Sequence, residues 1–462
     1  MDIKNFQVGE LSWADGVYGE VRLHENRNLW IRMVNGDVVQ NTRRSGGGIS
    51  ARVYREGQWG FASEPELSRE AVDRVLEMAE RNASFLASRQ GDASKALPPS
   101  KASLGVDFTS DKEPATQAQM LSFLKTLDAW MAQRFEGLKS RTLRLSLEDM
   151  ERRLVTSTGS EGHSMTPRSI LYVTVVAEDG QGQPVELSEI FSQRGQFQDV
   201  FEDPAALHGQ IEALVEHLEA KRQAVAPRAG LCDVILAPAM TGILAHEAIG
   251  HPTEADLVLG GSVAGDMLGQ KVASELISMI DFAHTYNGET LPVPVHMDDE
   301  GVESKDAVLI EDGVLKGFMH NRDTARHFGV ESTGSARAFK FDDEPLIRMR
   351  NTAILPGNDK LEEMIASIDD GYLLIKTRNG QADTTSEFMF GVSLGYEIKN
   401  GKVGRAIKDT TISGVAFDVL KTVTAVSDEM EWECSGYCGK KQLMPVGAGG
   451  PSIKCRVHMG GQ

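Results

Sequence analysis

A pair of histidines five positions apart is the feature that most constrains the local fold of this chain. His246 is followed directly by Glu247 and, after three more residues, by His251. Positions i and i+5 lie about 140° apart around a regular α-helix, whereas i and i+4 lie about 40° apart. The spacing therefore predicts a distorted helix, if the two imidazoles are to meet. Either the helix ends or unwinds at Gly250, ahead of Pro252, or a π-bulge absorbs the extra residue.

Two imidazoles brought together in this way favour a zinc site. The motif is the His-Glu-x-x-His pattern of zinc peptidases with one residue added. Neutral imidazoles bind zinc well, and zinc lowers the pKa of a bound water from about 15.7 towards 7. Glu247 follows the first histidine and could take the proton of that water and pass it to a leaving amine. The segment thus predicts metal-dependent hydrolysis, with His246 and His251 as ligands and Glu247 as the catalytic group.

The histidine segment does not itself supply the third protein ligand that a catalytic zinc usually takes. The nearby candidates are the carboxylates of Glu254, Asp256 and Asp266, and the distant candidates are the cysteines. Cys438 lies in a turn flanked by glycines, where small neighbours let a sulfur approach a metal. Cys434 stands four residues before it, and its contribution stays open.

Apolar periodicity predicts an α+β fold in two domains. Helical spacing indicates helices near 67–86, 120–131 and 203–224, and Asn-Gly or Asp-Gly pairs indicate hairpins at 35–37, 312–313 and 400–401. The glycine cluster at 45–48 is interpreted as a turn. A linker-like stretch near 227 divides a mixed α/β N-terminal domain, 1–227, from a β-rich C-terminal domain, 228–462, which carries the proposed zinc site.

Composition excludes several classes of function. The formal net charge of −19 is a poor match for nucleic acid or an anionic membrane. Four cysteines in 462 residues do not form a disulfide framework. The first residues lack the pattern of a signal peptide, and no apolar run reaches about 18 residues. We expect a cytoplasmic protein without nucleic-acid or membrane partners.

Several motifs together resemble the TldD/PmbA family, whose members were once described as modulators of DNA gyrase and are now regarded as peptidases. The resemblance runs through most of the chain and is strongest from about 230 to 452. The motifs that carry it follow the family's order: His246–His251, Asp298–Gly301, Asp312–Gly317, Ser332–Gly334, Arg348–Asn351 and Cys438–Lys440.

The resemblance implies a two-domain TldD/PmbA-like architecture and a complete site. Zn²⁺ would be held by His246, His251 and Cys438, with Glu247 catalytic, as in the active, TldD-like members. The substrate would be a small or unfolded peptide in extended conformation, bound as an added β-strand. The chain would form a homodimer or a heterodimer with a PmbA-like subunit.

Two other functions remain open from the sequence. The first is a non-catalytic peptide-binding or partner-stabilising subunit with a structural metal. The second is a hydrolase that uses Cys438 as a nucleophile paired with a histidine. Substitution of Glu247 distinguishes the zinc peptidase from both.

Overall fold

The structure is a computed structural model that describes residues 3–6, 8–9, 11–14 and 16–460, apart from the side chain of Asn379. No helix within these ranges is long and apolar enough to cross a bilayer.

The N-terminal half is built on a sheet in the order β3-β2-β1-β5-β6-β4, with β7 paired to the other part of β6. Its strands are β1 (Tyr18–Val34), β2 (Asp37–Arg55), β3 (Gln58–Glu64), β4 (Ser103–Asp107), β5 (Ser140–Thr156), β6 (Glu161–Glu178) and β7 (Pro184–Arg194). The accompanying helices are α1 (Arg69–Gln90), α2 (Gln117–Arg134), α3 (Phe197–Val200) and α4 (His208–Lys221), with a 3₁₀ turn at Pro204–Leu207.

The two faces of β1 have different partners, because successive side chains of a strand point to opposite faces. Leu29, Ile31 and Met33 form a core with α2 and α4, and Val21 and Leu23 form another with α1. The opposite face of the strand is polar, and its first half is buried beneath the C-terminal half of the chain.

The C-terminal half contains two larger sheets. In the first, the order is β17-β8-β26-β20-β18-β19, and a further β17–β18 pairing closes five of these strands into a ring, with β21 beside β26. Its strands are β8 (Gly230–Leu236), β17 (Asp370–Ala382), β18 (Glu387–Lys399), β19 (Lys402–Ala406), β20 (Thr410–Val415), β21 (Ala425–Val426) and β26 (Ile453–Met459).

The second sheet has the order β13-β12-β9-β16-β25-β22. Its strands are β9 (Met279–Phe282), β12 (Ala307–Glu311), β13 (Val314–Leu315), β16 (Asn351–Ile354), β22 (Glu431–Glu433) and β25 (Gly447–Gly450). Three two-stranded ribbons complete this half: β10 (Thr285–Tyr286) with β11 (Glu289–Thr290), β14 (Ala336–Arg337) with β15 (Leu346–Ile347), and β23 (Tyr437–Lys440) with β24 (Gln442–Pro445).

Short helices connect these strands and lie against both sheets. They are α5 (Pro238–Ile243), α6 (Ala255–Leu259), α7 (Arg322–Phe328), α8 (Leu361–Ala366) and α9 (Ala416–Lys421), with a π-turn at Leu244–Gly250 and 3₁₀ turns at His251–Thr253 and Val263–Met267. A buried apolar cluster joins the residues of the π-turn to both sheets.

The α+β fold and the predicted helices are confirmed, as are the three hairpins. Their turn residues take the positive φ angles that tight hairpins need, for example 48° at Asn35 and 88° at Gly36.

The predicted turn at 45–48 is wrong, because these residues lie inside β2. A Cβ atom at Gly47 would lie 2.7 Å from the carbonyl oxygen of His24, and one at Gly48 would lie 2.3 Å from that of Glu64. Here glycine permits close backbone approach within a sheet rather than reversing the chain.

Candidate metal centre

The histidines lie on a helical segment that begins directly after β8. Pro238 occupies the first turn of α5, a position where its missing N–H costs little. The α-helical turn then passes into the π-turn Leu244–Gly250. The chain tightens into a 3₁₀ turn at His251–Thr253, where Pro252 cannot continue the preceding ladder.

The π-turn brings the two histidines to one side of the segment. The backbone N–H of His251 donates to the carbonyl of His246, an i to i+5 bond that puts the two residues one π-helical turn apart. Their imidazole centroids lie 5.3 Å apart with the ring planes at 81°. Of the two distortions that the spacing allows, the π-bulge is therefore the one that the structure contains.

Gly250 permits close packing beneath the π-turn. A Cβ atom at this position would lie 2.1 Å from the Sδ atom of Met349 and 3.2 Å from the carbonyl oxygen of Ala245. The φ angle of Gly250 is −58°, which any residue can adopt. Glycine is needed here for space rather than for backbone conformation.

Cys438 reaches the histidines from the β23–β24 hairpin, whose turn residue Lys441 has a φ of 59°. Its Sγ atom lies 3.3 Å from Nε2 of His251, although the two residues are 187 positions apart in the chain. One ligand atom from each of His246, His251 and Cys438 lies within 4.8 Å of the others. The structure thus brings together the three residues that the sequence resemblance implied as ligands.

The donor atoms fit a zinc ion. Both ring nitrogens of His246 are buried, and neither has a hydrogen-bond partner among the described residues. A buried imidazole without partners is costly, and a metal ion would satisfy one of its nitrogens. Imidazole nitrogen and thiolate sulfur both bind zinc, and three protein ligands leave one coordination position open, as a catalytic zinc site requires.

The thiol and imidazole groups shift each other's ionisation. Burial would raise the pKa of Cys438, but the neighbouring His246 and His251 outweigh it and lower that pKa to about 5. Burial would lower the pKa of His251, but contacts with Cys438 and Glu254 raise it to about 10. The site therefore favours the thiolate, which is the form that binds a metal.

A buried carboxylate orients His251. The Oε2 atom of Glu254 lies 2.9 Å from Nδ1 of His251, which leaves Nε2 facing the sulfur of Cys438. The Nζ atom of Lys440 lies 3.2 Å from the other oxygen of Glu254 and also donates to Asp256. A carboxylate on the distal nitrogen of a metal-binding histidine is the usual support for such a ligand.

The hairpin that carries Cys438 is held by contacts on both sides. The Nη2 atom of Arg348 donates to the carbonyl of Cys438 over 2.6 Å. On the side of the N-terminal sheet, the hydroxyl of Tyr437 lies 3.1 Å from Oε2 of Glu148, and the guanidinium of Arg168 lies 4.6 Å from the Tyr437 ring. The position of the thiol thus depends on residues from both halves of the chain.

Glu247 lies beside the three donor atoms and is open to solvent. Its Oε2 atom is 3.7 Å from Nε2 of His251, and its side chain is 24% exposed, whereas Cys438 is 0% exposed. A substrate can therefore reach the carboxylate more easily than the sulfur.

The other candidate ligands lie outside the donor cluster. Glu254 and Asp256 are engaged by Lys440, and the thiol of Cys434 contacts the carbonyl of Pro292 at 3.7 Å. Neither Cys434 nor Asp266 belongs to the three-ligand group that the described residues form.

Sequence reasoning missed the supporting roles of Glu254, Lys440 and Arg348. The position of Glu254 three residues after His251 was an available signal, because i and i+3 side chains lie close together on a helical turn. Arg348 and Lys440 lie in the family-like motifs 348–351 and 438–440, but no local signal indicated these supporting roles, because both residues act across distant segments.

Comparison with protein families gives matches along most of the chain. Models described as PmbA/TldA metallopeptidase domain 1, central domain and C-terminal domain match residues 19–83, 111–226 and 229–461.

Relatives and a solved structure are similar over nearly their full length. A metalloprotease of Methanothermobacter thermautotrophicus is 33% identical, with 96% of this chain and 95% of that protein covered. A zinc metalloprotease TldD homolog of Saccharolobus solfataricus is 30% identical, with 90% of each covered. The crystal structure of TldE from Thermococcus kodakarensis superposes with a TM-score of 0.74 at 20% identity, over 95% of this chain and 96% of that one, which shows a shared fold.

Proposed function

Since this chain belongs to the PmbA/TldD metallopeptidase family, we propose that it is a zinc-dependent peptidase that hydrolyses small or unfolded peptides. The observation that carries the proposal is the meeting of donor atoms from His246, His251 and Cys438 within 4.8 Å. The name of the Saccharolobus relative, a zinc metalloprotease, supports the choice of metal.

The three side chains would hold the zinc, and each is prepared for that role. Glu254 fixes the ring of His251, the thiolate of Cys438 is favoured by both imidazoles, and His246 has two unpaired nitrogens within the described part of the site. Bound zinc supplies Lewis acidity and makes water a nucleophile at neutral pH.

Glu247 would act as the general base and acid of the reaction. Its carboxylate is adjacent to the ligands and partly exposed, so that it can accept a proton from water and deliver it to the departing amine. His251, 18% exposed, and Glu247 would form the face of the site that meets the substrate.

The structure supports the metal over a cysteine nucleophile. Cys438 and His251 have the separation of a nucleophile–base pair, but the thiol is fully buried, and a nucleophile must contact the scissile carbonyl. A cysteine hydrolase would also tolerate chelators. A non-catalytic subunit with a structural metal remains the other alternative, and it would retain its function without Glu247.

We extend the proposal to the form of the substrate and to assembly. The peptide would bind in extended conformation, and the chain would form a homodimer or a heterodimer with a PmbA-like subunit. Light scattering of the purified protein, alone and with such a subunit, measures the assembly directly; a monomer under both conditions would contradict this part.

The test combines metal analysis with peptide cleavage. We expect about one zinc per chain in the wild type and its loss in both Cys438→Ser and His251→Ala. Cys434→Ser and His327→Ala are matched controls, a buried thiol and an exposed imidazole outside the donor cluster, and should retain zinc.

Glu247→Gln separates binding of the metal from catalysis. It should retain zinc but lower kcat by about 10²-fold or more, because the proton acceptor is removed. Undiminished cleavage by this variant, or cleavage that survives chelation, would overturn the proposal.

A further inference from the structure

A cleft of about 660 Å³ lies between the N-terminal sheet and the hairpin that carries Cys438. This volume lies within the range of ligand pockets and holds a few peptide residues. The residues that define this basic cleft are Trp30, Arg44, Arg144, Tyr172, Lys340 and Tyr437.

The cleft is cationic in a strongly acidic protein. Arg44, Arg144 and Lys340 are exposed, and none forms a salt bridge with any residue that the structure describes. Glu148 is the single carboxylate among the described lining residues, and Arg168 neutralises it at 2.7 Å. Lys340 interacts with the nearby charge of Asp343, but Arg44 and Arg144 have no salt-bridge partner among the described residues, although the whole chain has a formal charge of −19.

One arginine of the cleft is held in an unfavourable pairing. Arg144 on β5 lies directly opposite Arg32 on β1, and like charges in such cross-strand pairs destabilise a sheet. The guanidinium of Arg144 is fixed 3.9 Å above the ring of Tyr172. An anion bound here would offset the repulsion between the two arginines.

The opposite wall of the cleft is firmly attached to the sheet. The amide of Asn26 donates to the carbonyl of Phe339 over 2.6 Å, and the N–H of Phe339 donates to Gln442 over 2.8 Å. The rings of Phe339 and Tyr437 meet edge to face at 6.5 Å. The cleft is thus a built feature shared by both halves of the chain.

The cleft lies on one face of the hairpin, and the donor cluster lies on the other. Tyr437 and Leu443 line the cleft, whereas the alternating residues Cys438 and Met444 are buried. Side chains on opposite faces of a two-stranded ribbon end on the order of 10 Å apart. A peptide that joins the two sites must pass around the edge of the hairpin, which takes at least about three extended residues.

We propose that the basic cleft binds an acidic stretch of the peptide substrate, a few residues away from the bond that is cleaved; this rests on the proposed function. The backbones at Arg44 and Arg144 are two strands and four residues apart, roughly 16 Å. Carboxylates about five positions apart on an extended peptide have about the same spacing. Aromatic residues such as Trp30 pack against the apolar parts of that peptide.

The test measures binding in the Glu247→Gln protein, so that cleavage does not consume the probe. The probes are a ten-residue peptide with four glutamates and the same peptide with four glutamines, both carrying an uncharged fluorescent dye. We expect the glutamate peptide to bind about tenfold more tightly at low ionic strength, because up to three ion pairs form, and to lose this preference in high salt.

Substitutions then locate the site. Arg44→Gln, Arg144→Gln and Lys340→Gln together should bring the two affinities within about twofold. The control combines Arg81→Gln, Arg89→Gln and Lys402→Gln, which are exposed, lie outside the cleft and change the net charge equally. The control should retain the preference.

Each other outcome has a definite meaning. Equal binding of the two peptides, or an undiminished preference in the cleft variant, overturns the cleft assignment while leaving the zinc peptidase intact. Displacement of the peptide by equimolar single-stranded oligonucleotide would identify a general polyanion site and overturn the assignment to peptide. Cleft-dependent binding without cleavage by the wild type would instead contradict the proposed function.

Discussion

At the scale of single residues, the buried carboxylate of Glu254 supports the proposed metal site through His251. It is fully buried, and burial would raise its pKa, but His251 and Lys440 lower that pKa overall. It therefore remains a carboxylate that holds the Nδ1 atom of His251. The sequence offered it as a third ligand, whereas its position in the structure is that of support for a ligand.

We expect Glu254→Gln to weaken zinc binding by about 10- to 100-fold, because the amide is a poorer acceptor for the His251 ring. Asp256→Asn is the matched control, since Asp256 also binds Lys440 but does not touch His251. Competition with a chromogenic chelator measures both zinc affinities. Equal losses in the two variants would show that the effect arises from Lys440 rather than from His251.

At the scale of elements, the π-turn is the local solution to the five-residue spacing of the histidines. Its close packing on Met349 depends on the absence of a side chain at Gly250. We expect Gly250→Ala to lower the free energy of unfolding by about 1–3 kcal/mol through overpacking. In a Met349→Ala background, the same change should cost at least about 0.5 kcal/mol less.

Gly209 provides the comparison for this prediction. It lies in the first turn of α4, and a Cβ atom added there would have no neighbouring atom within 4 Å. Gly209→Ala should therefore stabilise the protein by about 0.4–1 kcal/mol. Chemical denaturation measures the wild type and all four variants, and additivity of Gly250→Ala with Met349→Ala would contradict the packing argument.

At the scale of the whole molecule, buried ion pairs attach the 298–301 loop to the N-terminal sheet. Asp299 lies 3.0 Å from Arg152 and 3.7 Å from Arg22, and Glu300 lies 2.7 Å from Arg52. The loop forms a turn, in which Asp298 accepts the backbone N–H groups of Glu300 and Val302. Asp299 and Glu300 additionally join the two halves of the chain that form the basic cleft.

We expect Asp299→Asn to destabilise the protein by about 3–5 kcal/mol, because two buried arginines lose their counter-charge. Glu331→Gln, which breaks the exposed pair with Lys305, should cost less than about 1 kcal/mol. Burial would raise the pKa of Asp299, but Arg152 and Arg22 outweigh it and lower that pKa.

The effect of pH follows from that lowered pKa. The stabilisation by Asp299 is fully present above its unfolded-state pKa, about 3.9, and is lost as pH falls through the lower folded value. The difference in Tm between wild type and Asp299→Asn should therefore narrow below about pH 4. A difference that is unchanged across this range would show that the carboxylate is not held in its charged form.

The sequence by itself determined the elements with local signals: the helices with apolar periodicity, the hairpins with Asn-Gly or Asp-Gly turns, and the need for a distorted helix at His246 and His251. These follow from the repeat of a helix and from backbone angles that few residues adopt. The division at residue 227 and the roles of the site residues stay predictions.

Only the tertiary structure decided how that distortion is made and which side chains surround it. It selected the π-turn, brought Cys438 rather than Cys434 to the histidines across 187 positions, and turned Glu254 from a candidate ligand into a support. It also placed the glycines at 46–48 inside a strand. Each of these depends on contacts between segments far apart in the chain, which local patterns do not encode.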